Sequence, residues 1–116
     1  MDHQAYSPVN PVQPKIISFP ALEEKYTRLL GGPPETSGMR SGYVVLAPEE
    51  SVGFHDSNDH EEVIIPLTGT GELRFDGLDS LPVHPGCILY NPPHTGHDVV
   101  NTGKELLKYI YIIAKV

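Results

Sequence analysis

Turn-forming residues punctuate the whole of this chain: twelve prolines and eleven glycines are spread along it and are not gathered into one tract. Proline offers no amide hydrogen, and glycine inside a helix or strand costs conformational entropy, so a chain interrupted this often is cut into short pieces. That favours many short strands and turns over long helices. At 116 residues the chain has the length of one domain with one modest core.

Between the turn signals lie strand-sized apolar segments: IISF (16–19), YTRLL (26–30), YVVLA (43–47), EVIIPL (62–67), ELRF (72–75), CILY (87–90), DVVN (98–101) and LKYIYIIA (107–114). Only 21–25 looks helical, and it is at most one turn. Residues 1–14, rich in proline, are expected to form an extended N-terminal arm, with 15–116 as a single domain. Several short strands at close spacing predict an all-β sandwich or barrel.

In the last segment Ile110, Ile112 and Ala114 share one face while Tyr109, Tyr111 and Ile113 share the other. A barrel of this size buries only one of these apolar faces. The other is expected to meet an extra strand, the arm or a second subunit, and a homodimer is the expectation. Pro66 lacks the donor of a central strand, which predicts a bulge or an edge there.

A formal net charge of −7 with only eight Lys and Arg leaves no basic stripe for phosphates, so nucleic acid is not an expected partner. The longest apolar run, Tyr109 to Ala114, is too short for a membrane helix, and the N-terminus has no basic segment followed by an apolar core. A lone Cys87 makes no internal disulfide. A cytoplasmic protein with no membrane partner is expected. The glycines of LTGTGEL are followed by neither a lysine nor a helix and serve as turn residues, not as a phosphate loop.

Chemistry concentrates in two stretches. In GFHDSNDHEEVIIPLTGTGEL (53–73), His55 and Ser57 share one side of an extended chain, and Glu62 follows after a polar turn. In NPPHTGHDVVN (91–101), His97 opens another strand after a proline-rich turn. A closed barrel can bring the two stretches together.

Gly53, His55, Glu62 and Gly69 in the first stretch, and Gly86, Pro92, His97 and Asn101 in the second, resemble the two signature motifs of the cupin superfamily. Three departures stand out: Ser57 occupies the place of the family's second histidine, the family's first glycine normally lies further upstream of the histidine pair than Gly53, and His94 replaces a glycine. The resemblance covers roughly residues 39–114 and implies an all-β fold, the jelly-roll-like barrel called a double-stranded β-helix.

It also implies a metal held in the barrel mouth by His55, Glu62 and His97, with His60 as a candidate for the missing nitrogen donor. Two imidazoles and one carboxylate are the donors of non-haem Fe(II) sites; zinc, nickel or manganese accept the same set. The implied function is to bind or act on a small organic molecule as a metal-dependent dioxygenase, isomerase or decarboxylase. The alternative is a non-catalytic ligand-binding or sensor barrel in which Ser57 marks a degenerate metal site.

The remaining polar residues read as structural or solvated. His84 and His94 lie in turns, His3 belongs to the arm, and Cys87 is expected to be a small buried strand residue. Asp56, Asp59 and Glu61 form a polar turn, with Glu61 facing away from Glu62. Asn101 points inward by parity with His97 and is expected to tie down a loop.

Overall fold

The computed structural model describes residues 12–116. These residues form nine strands: β1 (Tyr26–Gly31), β2 (Arg40–Leu46), β3 (His55–Asp56), β4 (His60–Thr68), β5 (Gly71–Phe75), β6 (Leu81–Val83), β7 (Leu89–Asn91), β8 (Gly96–Val100) and β9 (Leu107–Lys115). Among the described residues there is no helix, and so none long and apolar enough to cross a membrane. Most of the expected arm lies outside the described residues.

The strands form two antiparallel sheets, ordered β1-β2-β9-β4-β7 and β3-β8-β5-β6. Their facing sides bury Val44, Leu46, Ile64, Leu73, Val83, Leu89, Val99, Leu107 and Tyr109. These residues alternate with outward positions along each strand, as the two-residue repeat of a pleated strand requires. Tyr109, Tyr111 and Ile113 lie on the interior side, where they line a cavity between the sheets. Ile110 and Ile112 therefore lie on the outer side, paired with Ile65 and Val63 of β4.

IISF is not a strand. Residues 16–25 instead run across the outer face of β2: Phe19 stacks on Tyr43 at 5.2 Å, and the Lys25 carbonyl accepts from Val45 N at 3.0 Å. Glu23 accepts from Lys108 Nζ at 2.7 Å. This cover explains why Tyr43, on the outer face, is only 6% exposed. The expected helical turn at 21–25 is absent too; bends stand there.

Pro66 sits in β4, a central strand, so the ladder must shift around its missing donor, and the register does slip between Pro66 and Thr68. Gly69 closes the turn that follows at φ +82°, and a Cβ there would lie 2.3 Å from the Leu106 carbonyl oxygen. Both backbone conformation and space demand glycine at this motif position. Cys87 departs from expectation: it is half-buried in the turn before β7, with Sγ donating to the His84 carbonyl at 3.3 Å.

Candidate functional site

The two motif stretches meet in one place because β3 pairs with β8 and sets His55 directly opposite His97. Their rings lie 4.4 Å apart, edge to face. Glu62 reaches the same place from β4 in the other sheet, with Oε1 at 3.0 Å from His97 Nε2. All three line a cavity of about 360 Å³ that opens between the sheets.

Each imidazole is oriented by a backbone carbonyl two residues earlier. His55 Nδ1 lies 2.8 Å from Gly53 O, and His97 Nδ1 lies 2.9 Å from Thr95 O. A carbonyl only accepts, so Nδ1 carries the proton and Nε2 is left as the nitrogen with a lone pair. His97 is 2% exposed, and its Nε2 lies 3.0 Å from Glu62 Oε1 with no hydrogen bond of regular geometry to any described residue. Burial pushes the His97 pKa down, but Glu62 and the Thr95 carbonyl outweigh it, and the net shift is upward from 6.5.

Asn91 stands outside both sets of motif residues. It is fully buried, lies opposite Glu62 across β4 and β7, and its Nδ2 donates to Glu62 Oε1 at 2.9 Å. Its Oδ1 has no partner among the described residues. Asn91 directly precedes Pro92 of the second motif, and only the β4–β7 register, which the sequence does not display, ties it to Glu62.

Ser57 lines the cavity, yet its hydroxyl is occupied: Oγ donates to Pro92 O at 2.7 Å and accepts from Thr95 N at 3.0 Å. Where the family pattern has a histidine, this chain clamps the β3 end to the 92–95 turn. In that turn His94 is exposed and adopts φ +54°, the left-handed conformation that glycine takes most easily, and its amide donates to Asn58 O at 2.8 Å.

His60 lines the cavity on the same face of β4 as Glu62, with Nδ1 3.0 Å from Asp59 Oδ1. Glu61 faces the other way and accepts from Tyr90 OH at 2.9 Å. Asn101, fully buried, donates to Leu46 O and Glu105 O and accepts from Gly103 N, so it ties loops together. His84 is exposed in its turn.

Among the described residues no three His, Cys, Asp or Glu side chains are grouped closely enough to hold an ion as they stand. The donors nevertheless fit a divalent cation in kind: two imidazoles fixed through Nδ1, an orphaned buried Nε2 and an amide-held carboxylate. Around them the cavity is lined by Val44, Val52, Val99 and Ile113 and by the rings of Tyr26, Tyr109 and Tyr111. Burial raises the pKa values of the Tyr109 and Tyr111 phenols, so both remain protonated donors.

The cupin domain family model matches residues 42–113. A glucose-6-phosphate isomerase of Pyrococcus horikoshii is 35% identical over 63 residues, which is 51% of this chain and 33% of that protein. The chain thus spans about a third of the length of this isomerase. An oxalate-binding protein of Thermotoga maritima is 29% identical over 68 residues, 59% of this chain and 55% of that one. A Cupin 2 conserved barrel domain protein of Salinispora arenicola superposes with a TM-score of 0.71 at 26% identity, covering 88% of this chain and 92% of that chain. A predicted oxalate decarboxylase of Thermotoga maritima gives a TM-score of 0.72 at 24% identity over 78% of this chain and 79% of that chain.

Proposed function

This chain belongs to the cupin domain family, and from that premise we propose that it binds a divalent metal through His55, Glu62 and His97 and uses it to engage a small organic molecule in the cavity. The observation that carries this reading is His97 Nε2: buried, without a hydrogen-bond partner and 3.0 Å from Glu62. Leaving a buried polar atom unsatisfied costs about 1–3 kcal/mol, which a ligand to that nitrogen would recover. Fe(II) is the favoured ion, with zinc, nickel and manganese as competitors for the same donors. His60 is the reserve donor.

A bound ion would supply Lewis acidity or oxygen activation. The chain's own residues would do the rest: Gly53 O and Thr95 O fix the imidazoles, Asn91 fixes the carboxylate, and the Tyr109 and Tyr111 phenols donate to ligand oxygens. Dioxygenase, isomerase and decarboxylase chemistry are all compatible with that arrangement.

Ser57 favours a second reading. Its hydroxyl is committed to the 92–95 turn, so the donor set is one imidazole short of the family pattern, which suits a ligand-binding or sensor barrel that performs no turnover.

The test is elemental analysis of the purified protein before and after anaerobic loading with Fe(II). About one metal per chain, lost in a folded His97→Ala variant, is the expected result. No metal under any condition, or full occupancy in that variant, overturns the three-ligand site.

We also propose that two chains associate through the outer face of the five-stranded sheet and that the protein works in the cytoplasm. Val63, Ile65, Ile110 and Ile112 are only half-buried on that face, and Met39 and Tyr90 beside it are 51% exposed. A dimeric mass by sedimentation is expected.

A further inference from the structure

The cavity carries no Lys or Arg side chain. All eight Lys and Arg of the chain lie within the described residues, and none of them lines it. Arg28, on the same face of β1 as Tyr26, is paired with Glu35 at 3.4 Å, and Lys115 with Asp59 at 3.6 Å. Lys25 is not itself a lining residue; its Nζ lies over the ring of Tyr26, 5.5 Å from the centroid. The carboxylates of Glu62 and Asp56, by contrast, do face the space. Its apolar and aromatic walls include Val52, Val99, Ile113, Tyr26, Tyr109 and Tyr111.

An anionic group set among these walls would lose its water, meet no Lys or Arg side chain, with only the imidazoles of His55, His60 and His97 among the lining residues able to carry positive charge, and stand in the field of two carboxylates. Fixed metal charge would offset this only for atoms bound directly to the ion. The phosphate named for one relative, which lies away from the sugar oxygens that would meet the ion, would need partners that this cavity does not supply.

Resting on the reading that this cavity is the ligand site, we propose that it selects small uncharged molecules that present one or two oxygens to His97 and Glu62 and an apolar or aromatic body to the tyrosine and valine walls. An enol or a phenol has this chemistry, its hydroxyl donating to the Glu62 carboxylate or the His97 Nε2 lone pair, and a ketone has it only through a bound metal; a sugar phosphate does not. Apolar walls with a few placed polar groups are the usual build of such a pocket. The tyrosine faces suit a flat body, and their hydroxyls suit an oxygen acceptor.

Calorimetric titration with 4-methylcatechol, 3,4-dihydroxybenzoate and glucose 6-phosphate, on the full chain both metal-free and loaded with zinc, tests this. The two catechols share a head and differ in the charge of the tail. The neutral one is expected to bind at least about tenfold more tightly than the carboxylate in both states, with glucose 6-phosphate weakest. Should zinc fail to bind while that preference persists, the metal reading falls and this inference stands.

Equal or tighter binding of either anionic probe overturns the inference. So does binding of neither catechol at millimolar concentration. Anion binding that vanishes in Lys25→Gln, or that appears only as protein concentration rises, would reveal a rim cation or a second chain supplying the missing charge, and overturns it as well.

Discussion

Glu62 Oε1 is shared between Asn91 Nδ2 at 2.9 Å and His97 Nε2 at 3.0 Å, so one carboxylate oxygen is held by an amide from β7 while it faces an imidazole from the opposite sheet. Three strands, β4, β7 and β8, must be in place for this contact to exist.

The amide should matter to the metal as well as to the fold. Asn91→Ala removes the donor to Glu62 together with the unsatisfied Oδ1, so stability falls by about 1–3 kcal/mol, while metal affinity falls roughly tenfold or more. Zinc titrations of the two proteins, with melting curves alongside, check it. Unchanged affinity would remove Asn91 from the site.

The His97 pKa lies above its ordinary 6.5 in the folded chain. The pair with Glu62 therefore contributes stability that is fully present below the unfolded value near 6.5 and is lost as pH rises through the raised folded value. Chelator-treated protein should show this loss, and His97→Gln should flatten that part of the profile. Metal affinity should run the other way and rise with pH, because the ion displaces the His97 proton. A wild-type profile matching that of His97→Gln would refute the coupling.

Ser57→Ala removes both Oγ bonds to the 92–95 turn and should cost about 1 kcal/mol in thermal or denaturant unfolding. Ser57→His loses the same clamp but places a further imidazole beside the cavity, in addition to those of His55, His60 and His97. It should bind zinc at least about tenfold more tightly than the wild type. A gain in neither zinc affinity nor occupancy would mean that position 57 cannot reach the ion.

His94 holds a left-handed backbone that costs a histidine energy and that glycine adopts freely. His94→Gly should stabilise the protein by about 1 kcal/mol, a Tm rise of about 4 °C, and His94→Val should lower the Tm. Melting curves of both variants decide the matter. A fall in Tm for the glycine variant would show that the imidazole makes a stabilising contact.

Most strands are legible in the sequence because their apolar residues are bounded by turns, and it is the resemblance of the two motifs to the cupin signatures that points to His55, Glu62 and His97. β3 and β6 are not legible, because two or three residues, one of them Pro82, carry too little pattern to register. IISF has strand composition but no free partner: β1 already occupies that edge of the sheet, so the segment lies across β2 as a cover. Asn91 and the Ser57 clamp depend on which strands pair, a long-range property that local periodicity does not contain.

The sheet order has a bearing on how copies of this protein meet. The five-stranded sheet ends on one side in β1, broken by a register shift between Arg28 and Leu30, and on the other in the three-residue β7. The second sheet ends in strands of two and three residues. None of these borders offers a long straight row of free amides and carbonyls, so templated strand addition between molecules is disfavoured. Concentrated solutions should therefore resist fibre growth.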